Sequence, residues 1–207
     1  MIVIIDYDAG NLRSVQRACA KVGVQAVITN DPKVVRRAER VIFPGVGAAG
    51  SAMKSLRERG LDRAIKDVIA AGNPVLGICL GLQISLDHSQ ENDQKTLGLV
   101  DGTVRRFRLN DPALKVPHMG WNEVHVKRSH PLLEDVRRGD EFYFVHSYYP
   151  VPQDDCVICA VADYDGEFCC ALSVQNYFGV QFHPEKSGRG GLRIIEKFFS
   201  WDGRDAQ

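Results

Sequence analysis

The run Pro74-Val-Leu-Gly77-Ile-Cys79-Leu-Gly81-Leu-Gln83 is an apolar strand pattern leading through Gly-x-Cys-x-Gly into a helix-like stretch. That spacing has the form of a nucleophile elbow. Its turn is sharp and strained, so the positions two before and two after the nucleophile must be small, as Gly77 and Gly81 are. A thiol at the start of a helix is also activated by the positive end of the macrodipole. A lone cysteine is ordinarily buried and inert; the flanking glycines turn the reading of Cys79 toward a nucleophile.

A cysteine nucleophile needs a base and a group to orient it. Six histidines are available, and His183 stands out because it follows the apolar run 178–182 and precedes Pro184 and Glu185. In an extended segment residues two apart face the same way, so Glu185 is placed to hold the imidazole while His183 faces the thiol. The chemistry is acyl transfer by a Cys79–His183–Glu185 triad. A developing oxyanion would be met by backbone N–H groups of Gly45, Val46 and Gly47, in the turn Pro44-Gly-Val-Gly47, and of Leu80 just after the nucleophile.

The surrounding elements are legible as alternating strands and helices. Ile2 to Ile5 reads as a buried strand, followed by Asn11 as the N-cap of a helix carrying Leu12, Val15, Cys19 and Val22. Val24 to Ile28 and Val41 to Phe43 read as further strands, with Asp31-Pro32 opening a short helix between them. Residues 51–71 read as helix broken at Gly60, and Gly72-Asn73-Pro74 ends it before the strand Val75 to Ile78. After Leu97 the texture turns to strand: 124–126, 142–145, 157–161, 168–174 and 178–182. A helix carrying Leu192, Ile195 and Phe199 closes the pattern. The fold class expected is α/β, an open mixed, mostly parallel sheet flanked by helices. It forms a single domain over residues 1–201, with a polar tail at 202–207.

With 207 residues, 44% of them hydrophobic and 25% charged, the chain suits one packed core and not disorder. Its 26 basic and 26 acidic residues leave no net charge, which argues against a nucleic-acid partner. No apolar run approaches the roughly 20 residues of a membrane span, and no basic region precedes Ile2 to Ile5, so a cytoplasmic location is expected. Cys156-x-x-Cys159 and Cys169-Cys170 have a zinc-like look, but strand alternation sends residues three apart or adjacent to opposite faces. No metal and no cofactor are expected.

These motifs resemble the class I, or triad, glutamine amidotransferases, whose hallmarks are G-x-C-x-G-x-Q near mid-chain and H-P-E near the end. Within that family the chain is similar to the glutaminase subunits of imidazole glycerol phosphate synthases, which serve histidine biosynthesis. The matching stretches are Ile5-Asp-Tyr-Asp-Ala-Gly-Asn-Leu-Arg-Ser-Val15, Phe43-Pro-Gly-Val-Gly-Ala48, Val116-Pro-His-Met-Gly-Trp-Asn122, Phe144-Val-His-Ser-Tyr-Tyr149 and Phe178-Gly-Val-Gln-Phe-His-Pro-Glu-Lys-Ser187.

The resemblance implies that Cys79 attacks the side-chain amide of L-glutamine, that His183 passes a proton to the departing ammonia, and that water releases glutamate from a thioester. It implies substrate-binding positions at Gln83, Glu91, Ser147 and Tyr148, with the Glu91 carboxylate pairing the α-ammonium. It also implies a heterodimer with a (β/α)8-barrel cyclase subunit that receives the ammonia through a channel. Asn11, Met119, Trp121, Asn122 and Lys186 are then expected at the partner interface. Hydrolysis is expected to depend on that partner, docking correcting the loop Gly45 to Gly47.

The chain departs from the family pattern at Asp8, where glycine is common, and at Ala48-Ala49-Gly50, where a larger apolar residue often stands. Rival readings are a paralogous subunit supplying ammonia to a different synthase, an inactive module that stabilises its partner, and a hydrolase of γ-glutamyl peptides.

Overall fold

The computed structural model describes residues 1–8 and 10–204, so Ala9 and residues 205–207 of the expected polar tail lie outside it. The first half alternates β1 (Ile2–Ile5), α1 (Leu12–Lys21), β2 (Ala26–Thr29), α2 (Pro32–Arg36), β3 (Arg40–Gly45), α3 (Ala49–Arg59), α4 (Leu61–Ala70) and β4 (Val75–Cys79). The one-turn α5 (Leu80–Gln83) leaves β4 directly. Then come β5 (His88–Ser89), β6 (Gln94–Lys95), β7 (Gly102–Arg106), β8 (His118–Glu123), β9 (His125–Val126), β10 (Glu141–His146) and β11 (Tyr148–Pro152). Strands β12 (Ile158–Asp163), β13 (Glu167–Val174) and β14 (Tyr177–Val180) precede the closing helix α6 (Gly188–Ser200).

The main sheet has eight strands in the order β2-β1-β3-β4-β14-β13-β12-β9. It is parallel from β2 to β14 and antiparallel beyond, the open mixed, mostly parallel arrangement expected. Both faces are covered. Ile4, Ile42 and Ile78 pack with Val15, Ile195 and Phe198 on one side; Val3, Val41 and Val75 pack with Met53, Leu56 and Ile65 on the other. Burial on both faces is why these strands read as continuous apolar runs. Two smaller sheets, β10-β8 and β11-β7-β5-β6, stand apart from it.

Local signals act largely as expected. Asp31 accepts a hydrogen bond from the Lys33 amide at 2.8 Å, with Pro32 in the first turn of α2. Gly60, with φ +68°, separates α3 from α4. Asn11 does stand at the start of α1, but its backbone is left-handed and its side chain makes no cap. Asp8 also has φ +66°, a conformation that a short polar side chain tolerates next best to glycine. Its carboxylate pairs with Arg59.

Three expected strands begin late, the first being β2, which starts at Ala26 in place of Val24. In place of 157–161, β12 starts at Ile158, because Asp154 caps a 3₁₀ turn at Asp155–Val157. In place of 124–126, only His125–Val126 pairs, with β12.

Candidate active site

Strands β3, β4 and β14 bring their carboxyl ends together, Gly45 pairing with Cys79 and Val180 with Ile78. In open α/β sheets that edge is where ligands bind. Cys79 occupies φ 53°, ψ −105°, where β4 turns into α5 within a single residue. Such a backbone costs about 1–3 kcal/mol for a residue with a side chain and marks a position held by its surroundings. A Cβ at Gly77 would lie 2.0 Å from the Tyr177 hydroxyl, and one at Gly81 would lie 1.9 Å from the Phe43 carbonyl oxygen. Both glycines are steric requirements of the elbow.

Nδ1 of His183 lies 2.8 Å from Oε1 of Glu185, with both side chains fully buried. The expected geometry was strand alternation. Instead His183 is extended and residues Pro184–Lys186 form a 3₁₀ turn, Pro184 supplying the fixed φ that starts it. The His183 backbone is pinned by its N–H donating to the Tyr143 carbonyl and by the Ser187 hydroxyl donating to its own. Burial disfavours the imidazolium, but the Cys79 sulfur and the Glu185 carboxylate outweigh it and raise the ring well above the ordinary histidine range. Cys79 apart, Nε2 has no hydrogen-bond partner among the described residues. An imidazole charged by its thiol neighbour and steered by a carboxylate is what proton transfer to a leaving amine requires.

A cavity of 320 Å³ opens at this edge, lined by Cys79 and by Val46, Gly47, Leu80, Gln83, Glu91, Ser147 and Tyr148. All four expected substrate positions are on its wall. Of the expected oxyanion group, Gly45 alone is off the wall, buried where a Cβ would lie 1.9 Å from the Tyr7 hydroxyl. That hydroxyl has no partner among the described residues, and burial raises Tyr7 well above its usual range.

Gln83 spends both amide hydrogens inward, on the Tyr148 carbonyl (2.8 Å) and Gln181 Oε1 (3.1 Å). What it offers the cavity is therefore its carbonyl oxygen, an acceptor. Glu91 Oε2 accepts from the Ala49 amide at the start of α3, which fixes the carboxylate on the wall. An ammonium group suits such a pair. Pro117, Val145 and His146 complete the lining and were not anticipated. For His146 the signal is period-2 alternation along Phe142 to His146, which sets it on the buried face; Val145 lies on the other face and Pro117 outside that stretch.

The residues expected at a partner surface divide into two groups. Met119 and Trp121 project from one face of β8, 62% and 54% exposed. Tyr143 pairs with Trp121 across β10, and the Lys186 ammonium lies over the Tyr143 ring at 5.6 Å. Asn122 turns the other way, donating to the Asp163 carbonyl and to His118 Nε2. Asn11 donates to Glu185. Both asparagine side chains are partly exposed, and each is held by an internal acceptor.

Glutamine amidotransferase class-I is the family to which the chain belongs, its model matching residues 3–201. The chain is 50% identical over 206 residues to an imidazole glycerol phosphate synthase subunit HisH of Nitratidesulfovibrio vulgaris, with 97% of each chain covered. It is likewise 50% identical over 200 residues to the subunit HisH of Rhodopirellula baltica, with 96% of each covered. Identity of that order across nearly whole chains sets it among the HisH subunits and makes it a glutamine amidotransferase. Similar folds occur in a crystal structure of glutamine amidotransferase (TM-score 0.73, 18% identity, 99% of this chain and 100% of that one). A structure of PurLQS from Thermotoga maritima is comparable (TM-score 0.73, 18% identity, 96% and 97%).

Proposed function

We propose that the chain hydrolyses L-glutamine to glutamate and ammonia through a thioester on Cys79. The ammonia then passes to a (β/α)8-barrel cyclase subunit in a heterodimer that makes imidazole glycerol phosphate for histidine biosynthesis. The observation carrying this reading is the strained Cys79 at the mouth of the cavity, with the buried His183–Glu185 pair beside it.

Cys79 attacks the carboxamide carbon, and the Leu80 N–H with the Gly45–Gly47 loop takes the oxyanion. His183 protonates the departing ammonia, then removes a proton from water as the thioester is hydrolysed. Gln83 and Glu91 hold the α-ammonium, while Ser147 and Tyr148 flank the substrate's amino-acid end. Met119, Trp121 and Lys186 form the partner-facing patch, an aromatic and methionine centre of the kind that anchors interfaces. Asn11 and Asn122 support it from within. The Gly45–Gly47 loop is set correctly on docking, so that hydrolysis awaits the acceptor. This work takes place in the cytoplasm; no helix of the described residues is long and apolar enough to cross a membrane.

The test is glutamate release by the purified chain, alone and with a cyclase subunit carrying its nucleotide ligand, with Cys79→Ala as the blank. Activity that needs the loaded partner and vanishes in the blank supports the whole reading. Activity indifferent to the partner sinks the pathway assignment and points to another ammonia acceptor.

A further inference from the structure

Cys79 Sγ has a polar neighbour outside the triad. The amide nitrogen of Gln181, a fully buried residue just past β14, lies 3.6 Å from the sulfur. An amide presents either N–H or C=O, and only the first can donate to sulfur, so the useful orientation must be enforced. Gln181 Oε1 accepts from Gln83 Nε2 at 3.1 Å, which turns the Gln181 nitrogen toward Cys79. Gln83 is oriented in turn by the Tyr148 carbonyl, which can only accept.

The same carbonyl accepts from His146 Nδ1 at 2.8 Å. His146 therefore carries its proton on Nδ1 and uses Nε2 as an acceptor toward His118 Nδ1, 3.0 Å away. His118 Nε2 accepts from Asn122, whose nitrogen is identified by its second bond, to the Asp163 carbonyl. Backbone carbonyls end the histidine segment on both sides, so one proton pattern satisfies every member, with both rings neutral. Burial supports that state, lowering His118 to about 4 and His146 to about 3. The chain runs from β8, whose outward face carries Met119 and Trp121, to the sulfur of Cys79.

We propose that Gln181 is a positioning residue for the Cys79 sulfur, that Gln83 and the Tyr148 carbonyl fix the direction of its amide, and that His146, held by His118 and Asn122, keeps that carbonyl in place. The proposal rests on Cys79 being the nucleophile. Coupled side chains of this kind act as a unit, so breaking the chain at either end should have one common effect.

The experiment is steady-state glutaminase kinetics of the full chain with its ligand-loaded cyclase partner, comparing Gln181→Met, His118→Phe and the double variant. Methionine keeps length and removes the donor, and phenylalanine keeps the ring packing against Phe144 and Tyr164 while removing the N–H that His118 donates to His146 Nε2. Expected are a fall in kcat of about tenfold for Gln181→Met with KM within about threefold, and a smaller fall for His118→Phe. The double variant should match Gln181→Met alone. A Gln181→Met kcat within about twofold of the parent, a loss confined to KM, or multiplicative losses in the double variant would each overturn the proposal. Cys79→Ala separates the layers. If it stays active, the nucleophile reading fails; if it is silent while Gln181→Met is fully active, only the present inference fails.

Discussion

The side-chain amide of Asn11 donates to Glu185, a carboxylate 174 residues further along the chain that also holds the ring of His183. The start of α1 thereby fixes the group that fixes the base. Its left-handed backbone and missing cap have a reason here: the side chain is aimed at Glu185 instead of its own helix.

Asn11→Asp replaces that donor with a partly exposed carboxylate in contact with the buried Glu185, and a like charge there disfavours ionisation of the pair. A drop in kcat of about tenfold or more is expected, with partner affinity unchanged. Titration of the partner together with kinetics would check this. Lost affinity at unchanged kcat would return Asn11 to the interface.

Cys79→Gly should be more stable than Cys79→Ala by about 1 kcal/mol, since glycine adopts φ 53° without steric cost. Both variants lack the thiol and should release no glutamate. Denaturant midpoints of the two would measure the strain at the elbow.

The Tyr7 hydroxyl is buried without a partner among the described residues and occupies the space beside Gly45. Tyr7→Phe is expected to raise stability by about 1 kcal/mol, because it removes an unsatisfied polar group. Gly45→Ala should destabilise the parent and be partly rescued in the Tyr7→Phe background. Gly81→Ala meets the Phe43 backbone carbonyl instead and should gain nothing from it. Thermal melts of the five variants suffice.

Held neutral at about 4 and about 3, His118 and His146 bind fewer protons than the unfolded chain, where histidine titrates near 6.5. Stability should therefore fall as pH drops from about 6.5 through those values. His183 works in the other direction: its raised value stabilises the fold fully below about 6.5, and that contribution is lost as pH rises through its folded value. Replacing His118 and His146 by phenylalanine should flatten the acid side of a Tm-against-pH curve. An unchanged acid slope would contradict the neutral pair.

The sheet was readable because β1, β3 and β4 are parallel strands buried on both faces, and so appear as uninterrupted apolar runs. The elbow was readable because its glycines answer a steric demand made by neighbouring backbone. Strand β8, His-Met-Gly-Trp-Asn-Glu, lacks branched residues, and β11 carries Pro150 and Pro152, which an edge strand accommodates and a pattern search rejects. The role of Gln181 was invisible for another reason. Its partners Cys79 and Gln83 lie 102 and 98 residues away, a relation that no local spacing encodes.

Strand β4 lies inside the main sheet with parallel neighbours on both sides, whereas β8 pairs only with β10. Backbone amides of Leu76 to Ile78 should then exchange with solvent deuterium only when the whole molecule opens, and those of β8 through smaller, local excursions. The wall proposed to meet a partner can thus breathe on its own timescale while the sulfur stays mounted on the slowest-exchanging part of the protein.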